Sequence, residues 1–252
     1  MPILTLTTDF GTKSFDVAAL KGKLMCASSD LSIIDISHNI EIFDKMNAAY
    51  ALKNASINFP PKTIHFTNIN LKEGHNRVLL VTRNSQYYIC PDNGFITIMF
   101  PNEDFKAYTL NGLENDFSYS ELNDRLCEIV ASKEDDISTF GTPINSYMKA
   151  SLMRAAVMPD IIRAAVIHID RYGNAVVNIN KEVFYRFVEN GPFFIHVKRN
   201  NTNKISKHYT DVEKGEIVCL FNDAGLLEIA INDGKTTVLG LEYGTLILIE
   251  RN

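Results

Sequence analysis

The stretch Leu4-Thr5-Leu6-Thr7-Thr8-Asp9-Phe10-Gly11-Thr12 decides how the rest of the chain is read. Leu4 and Leu6 alternate with Thr5 and Thr7, the two-residue period of a half-buried strand, and Gly11 permits a backbone turn that a side chain resists. In an open α/β sheet, ligands collect beyond the carboxyl ends of the strands, so Asp9 stands where a small molecule would meet it. Behind Ser14, a candidate cap, helical spacing follows at Val17, Leu20, Lys21 and Leu24. Residues 31–36 are β-branched and read as a buried strand ending at Ser37-His38. Asp44 is placed to cap a second helix over 45–55, with Met46, Ala49, Tyr50 and Lys53 on one side and Pro60-Pro61 as its stop. A third strand over 63–69 completes β-α-β-α-β, the order of a parallel sheet with helical crossovers.

Residues 78–81 and 86–90 predict a hairpin, and Pro91-Asp92-Asn93-Gly94 a turn before the apolar run 95–100. Residues 102–119 are polar and irregular, and 147–157 predict an amphipathic helix broken by Pro159. Beyond it, strand-like stretches at 165–179, 193–199, 216–221, 226–231 and 245–249 are separated by Gly, Asn and Asp turns. The pattern predicts an α/β N-terminal domain over 1–158, with a mainly parallel sheet and flanking helices, and a smaller all-β, barrel-like domain over 163–252. The boundary is expected between Met158 and Arg163.

At 252 residues the chain has room for two modest cores, and 46% hydrophobic with 22% charged residues is a globular balance, neither disordered nor fibrous. The net charge of -5 is scattered, which argues against the basic face that nucleic acid requires. No apolar run reaches membrane-spanning length and no basic, apolar leader opens the chain, so a cytoplasmic protein without membrane partners is expected. Cys26, Cys90, Cys127 and Cys219 form no CxxC and are expected to be buried free thiols; the histidines are dispersed, and no metal site is expected. Without GxGxxG after the first strand or GxxxxGK[ST] anywhere, nicotinamide and P-loop chemistry lack their phosphate cradles.

Leu6-Thr7-Thr8-Asp9-Phe10-Gly11, Lys21-Gly22, Ile34-Asp35-Ile36-Ser37-His38, Pro91-Asp92-Asn93-Gly94, Asp170-Arg171-Tyr172-Gly173-Asn174 and Asn222-Asp223-Ala224-Gly225-Leu226-Leu227-Glu228-Ile229-Ala230 follow one another in a known order. In these stretches the chain resembles, over essentially its whole length, the S-adenosylmethionine (SAM) hydrolases of the SAM hydroxide adenosyltransferase type, relatives of the SAM-dependent chlorinases and fluorinases. The resemblance implies hydroxide attack at ribose C5′, departure of methionine from the sulfonium, and release of adenosine, with no metal or redox cofactor. It implies a homotrimer whose sites lie between the N-terminal domain of one subunit and the C-terminal domain of the next. By the same resemblance Asp9 accepts both ribose hydroxyls and Asp170 holds the methionine ammonium. Tyr172 and Asn174 then line the adenine and ribose end, and Asp223, Glu228 and Ile231 take other adenosine-contacting positions, Asp223 standing where relatives commonly have Ser. Read without the family, 170–174 is a hairpin turn and Glu228 an outward strand residue.

The catalytic set departs from the family pattern. Relatives carry Asp-Pro-Gly-Val-Gly-Thr-x-Arg after the third strand, and a later Phe-His-Gly. Here the first aligns with Asn70-Leu71-Lys72-Glu73-Gly74-His75-Asn76-Arg77, so Arg77 is retained and Asn70 replaces the carboxylate; Thr139-Phe140-Gly141-Thr142 puts glycine in the place of the histidine. An amide can orient water but cannot take its proton near neutral pH. His75 is a candidate substitute base. Two expectations follow: a SAM hydrolase with a degenerate set in which Arg77 and Asn70 serve the attacking water, or a catalytically impaired homologue that binds SAM or adenosine.

Overall fold

The opening stretch is β1 (Ile3–Thr8), followed by α1 (Asp16–Ala27), β2 (Ser32–Ser37), α2 (Lys45–Ser56), β3 (Ile64–Asn68), β4 (Val78–Arg83), β5 (Gln86–Pro91), α3 (Phe95–Met99), β6 (Lys106–Leu110), α4 (Tyr119–Ser132) and β7 (Gly141–Ile144). The structure, a computed structural model, describes residues 2–71, 77–102, 104–132, 134–189 and 191–251. It divides into two units, Met1–Ser151 and Leu152–Asn252.

In the first unit the strands lie in the order β2-β1-β3-β5-β4-β6-β7. β1 pairs in parallel with β2 and β3, and β3 with β5; β4 runs antiparallel to β5 and β6, and β7 to β6. The sheet is therefore mixed, with most strands pointing one way and only β4 and β7 against them. One face carries Leu4, Leu6, Ile64, Phe66, Leu80 and Ile89 against α1 and α4. The other carries Leu79, Val81, Tyr88 and Cys90 against Ala48, Ala49 and Leu52 of α2 and Phe95, Ile96 and Met99 of α3. Strand alternation thus feeds two cores, and the helices cover both faces.

Several expectations need correction. Ser14 does not cap α1: Phe15 holds the cap position without a side-chain bond, and the Ser14 hydroxyl donates to Asp16. β2 is not buried, because it is the sheet's edge and only β1 flanks it; Ile34 is 43% exposed. Asp44 does cap α2, accepting from the Asn47 N–H at 2.9 Å. The buried face of that helix is Ala48, Ala49, Leu52 and Ser56, not Met46, Tyr50 and Lys53, because the two small alanines let it approach the sheet. Residues 102–119 contain β6, whose Ala107 and Thr109 point inward. α4 is a helix that the sequence analysis does not predict: Ser118 and Glu121 form its capping box, and Leu122, Leu126 and Ile129 its core stripe. Cys90 and Cys219 are buried, but Cys26 is exposed and Cys127 only half-buried.

The helix expected over 147–157 is absent. Met148 N–H donates to Asp92 Oδ1 at 2.7 Å and Ala150 N–H to Thr97 Oγ1 at 2.9 Å, so alternate amides are spent on side chains of the first unit. An extended strap results, since a helix would have needed those donors.

The second unit contains β8 (Ala156–Val157), β9 (Ile161–Ile169), β10 (Ala175–Asn180), α5 (Lys181–Val188), β11 (Phe193–Val197), β12 (Asn200–Thr202), β13 (Ile217–Phe221), β14 (Leu226–Ile231) and β15 (Leu246–Arg251). Every ladder is antiparallel, in the order β12-β11-β15-β9-β10-β14-β13, and the two end strands approach one another, so the sheet is nearly a closed barrel. Its core is formed by Ile162, Val166, Val177, Ile195, Leu227, Ile229 and Ile249. The unit is not all-β: Asn180 caps α5 through the Val183 N–H at 2.7 Å, and Phe184, Phe187 and Val188 bury one face. The division precedes Met158 because β8 already pairs with β9.

His65 gives the first unit a pH dependence. It is 0% exposed, 2.7 Å from Thr5 Oγ1 by Nδ1 and stacked on Tyr88 at 4.8 Å. Burial pushes its pKa down from 6.5 to about 4. Between those values the unfolded chain binds a proton that the folded chain refuses, so stability falls as pH drops through this window, by about 3 kcal/mol in full. Urea midpoints followed against pH should therefore decline below pH 6.5, and His65→Gln should flatten the slope. An unchanged slope in the variant would place the acid sensitivity elsewhere.

Candidate active site

The carboxyl edge of β1 is built by register. Thr7 lies opposite Thr67 and Thr8 opposite Asn68, so Asp9 and Asn70 emerge side by side from neighbouring strands. Gly11, at φ 73, turns the chain and donates its N–H to the His38 carbonyl at 2.8 Å. Asp9 Oδ2 accepts the Asn70 N–H at 3.0 Å. Asn70 adopts φ 49, a left-handed conformation that asparagine tolerates better than most residues. Its Oδ1 is buried and without a partner among the described residues. Asn93 holds this turn from beneath, donating from Nδ2 to the Ile69 carbonyl at 2.9 Å.

A cavity of about 460 Å³ opens here, lined by Asp9, Phe10, Lys23, Phe43, Asn70 and Asn123 among others. Its rim is apolar and exposed at Ile42 and Phe43. A larger cavity of about 580 Å³ lies at the opposite, amino edge of the sheet, by Ile3, Pro60 and Lys62. There Lys62 is already paired with Asp135 at 2.5 Å, whereas the smaller cavity holds a carboxylate with acceptor capacity left.

Arg77 stands at the same edge but does not line the cavity. Its Nε donates to Asp92 Oδ2 at 2.7 Å and Nη2 donates to the Ser146 carbonyl, so the guanidinium anchors the 146–150 strap. Gly141 leaves no room for a side chain, because an added Cβ would stand 2.7 Å from Tyr108 Cβ. His75 lies outside the described residues. His38 is scaffold: Nδ1 lies 2.8 Å from Thr8 Oγ1 and Nε2 3.0 Å from Asp35 Oδ1. Burial acts to raise the Asp35 carboxyl, but hydrogen bonds from Lys21 and His38 outweigh it and hold the group below the usual range.

In the second unit Tyr172, Asn174 and Ile231 line a cavity of about 510 Å³ together with Tyr209 and Lys235. Asp170 is turned to its own hairpin, accepting the Asn174 N–H at 2.8 Å and Asn174 Nδ2 at 3.0 Å. Tyr172 projects outward, 79% exposed, and Asp223 is exposed in the turn between β13 and β14. Glu228 is not an outward residue: it is 4% exposed and accepts from Tyr209 Oη at 2.7 Å and Asn222 Nδ2 at 3.2 Å. Burial, then the Glu228 carboxylate, push the Tyr209 phenol well above its usual range.

Sequence reasoning missed Tyr209, because with Glu228 read as an outward strand residue no local signal called for a donor 19 residues away. Tyr209→Phe should cost about 1.5–3 kcal/mol in urea unfolding, the usual range for a hydrogen bond to a charged group. A loss below measurement would show Glu228 to be resolvated.

Residues 4–131 match the SAM hydroxide adenosyltransferase N-terminal domain, and residues 164–248 its C-terminal domain. The chain belongs to the SAM hydroxide adenosyltransferase family. Relatives include a protein named (R)-S-adenosyl-L-methionine hydrolase from Methanocaldococcus jannaschii, 31% identical with 96% of this chain and 94% of the relative covered. A protein of the same name from Thermus thermophilus is 24% identical, covering 94% and 95%. Among solved structures, an uncharacterized conserved protein from Thermotoga maritima superposes with a TM-score of 0.86 at 25% identity, over 99% of this chain and 100% of the other. Asn70 lies on the wall of the Asp9 cavity, and Gly141 opens β7 beside β6. Among the described residues no group of three His, Cys, Asp or Glu side chains could hold a metal, and no helix is long and apolar enough to cross a membrane.

Proposed function

We propose that this protein binds SAM through Asp9 and hydrolyses it slowly to adenosine and methionine. The observation that carries the reading is the Asp9 carboxylate at the mouth of the strand-edge cavity, with one N–H bound and acceptor capacity remaining for the two hydroxyls of a ribose diol. Phe43 and Ile42 offer apolar surface to a purine at the rim. Hydroxide forms the new bond to C5′ while the C5′–S bond breaks, its electron pair passing to sulfur; the sulfonium leaves as neutral methionine, so the step calls for no metal or redox cofactor. Asn70, on the cavity wall, orients the attacking water through its side-chain amide, and the proton is lost to solvent. Arg77 acts through the strap it holds rather than on the reacting atoms.

General-base help is worth about 10²–10⁴-fold, so turnover without it is slow while binding is retained. The closed space at Gly141 favours a second reading, a SAM or adenosine binder without turnover. Calorimetry with SAM and adenosine, paired with chromatography of long incubations, separates them. Binding with adenosine release supports the first, binding without product the second, and no binding of either ligand removes both. The proposal includes a homotrimer, which light scattering would show as three chain masses.

A further inference from the structure

Behind Asp9 a chain of polar side chains runs inward from the surface. Lys21 of α1 donates from Nζ to Asp35 Oδ2 at 2.5 Å, Asp35 Oδ1 lies 3.0 Å from His38 Nε2, and His38 Nδ1 lies 2.8 Å from Thr8 Oγ1. Asp35 is exposed, whereas His38 and Thr8 are buried. A carboxylate only accepts hydrogen bonds, so the ring's hydrogen faces Asp35 on Nε2 and Nδ1 keeps its lone pair. The Thr8 hydroxyl therefore donates to Nδ1 and turns its own lone pairs to the Phe10 N–H, 3.4 Å away. The same histidine accepts the Gly11 N–H on its backbone carbonyl at 2.8 Å. Asp9 is thus slung between two anchors, Thr8 and Gly11, both fixed to His38. A ring that only filled space would not need each nitrogen to face a different polar atom.

We propose that His38 is a positioning residue for Asp9: Asp35 sets its tautomer, and the tautomer locks the Thr8–Gly11 turn that aims the carboxylate into the cavity. The effect on ligand affinity rests on the reading of Asp9 as the ribose carboxylate, whereas the locked turn is a property of the free protein. Lys21 gives the chain its direction. Because it holds Asp35 Oδ2, the amide introduced by Asp35→Asn keeps its oxygen toward Lys21 and turns its nitrogen to His38 Nε2. That inverts the ring: Nε2 must accept, Nδ1 carries the hydrogen, and it competes with the Phe10 N–H for the Thr8 oxygen.

The test follows amide hydrogen exchange at Phe10 by NMR and adenosine binding by calorimetry, both in the full chain. His38→Phe keeps a ring and removes both nitrogens; His38→Asn gives up the ring and keeps an acceptor for the Thr8 hydroxyl; Asp35→Asn changes only an exposed side chain. In His38→Phe and Asp35→Asn, Phe10 should exchange about fivefold faster and adenosine should bind about fivefold more weakly, the usual net worth of one hydrogen bond. His38→Asn should stay close to the parent in both. Unchanged Phe10 exchange in His38→Phe, or an equal loss in His38→Asn, would overturn the positioning role, and so would faster exchange with undiminished affinity. A parent that binds no adenosine would instead remove the ribose reading, and the exchange rates alone would then decide for or against the locked turn.

Discussion

Asp9→Ala should weaken adenosine binding by about a hundredfold in calorimetry, the cost of losing hydrogen bonds from two hydroxyls to one carboxylate. The site owes that sensitivity to its construction. Asp9 follows the last residue of β1, its Oδ2 is occupied by a single N–H, and the cavity walls come from other elements. Removing the carboxylate therefore empties the acceptor position without removing a core contact, and far-ultraviolet circular dichroism should be unchanged. Asp9→Asn keeps the shape and exchanges one acceptor for a donor, so it should retain part of the affinity. Equal affinity in Asp9→Ala and the parent would end the ribose reading of this carboxylate.

Asn70→Asp should raise adenosine release by about 10²–10⁴-fold, the usual contribution of a positioned base. Three features favour the exchange. The side chains are nearly isosteric, aspartate tolerates the left-handed backbone at φ 49, and Oδ1 already lies buried without a partner among the described residues. The neighbouring Asp9 charge would raise the new carboxyl's pKa, toward a base that works near neutrality. A histidine at Gly141 could not be introduced in the same way. An added Cβ at Gly141 meets Tyr108 at 2.7 Å, so Gly141→His should destabilise the sheet edge rather than rescue activity. Unchanged turnover in Asn70→Asp, with adenosine still bound, would locate the deficit beyond this single side chain.

Both predictions depend on residues that differ in how far the sequence revealed them. Asp9 was legible because its signal is local: an alternating strand, a carboxylate at its end and a glycine to turn the chain. Asp44 as a cap, the hairpin over 78–91 and the β-rich second unit were legible for the same reason. α4 and α5 carried local signals too, in Ser118 with Glu121 and in Asn180 with Phe184, and went unassigned. Arg77 differs in kind. Its motif position pointed to catalysis, but its guanidinium is held by Asp92 and by a carbonyl far along the chain.

The sequence by itself determined the β-α-β-α-β opening, the placement of Asp9 at a strand's carboxyl end, the two-unit division and the family, because periodicity, caps and turn residues act between near neighbours in the chain. Only the tertiary structure decided that 147–157 is a strap, that β2 is an edge, that Glu228 is buried beneath Tyr209 and that Gly141 admits no side chain. In each case the deciding partner is remote in sequence: a backbone N–H given to a distant side chain, or a volume filled by a neighbouring strand, overrides a local preference once the chain has folded.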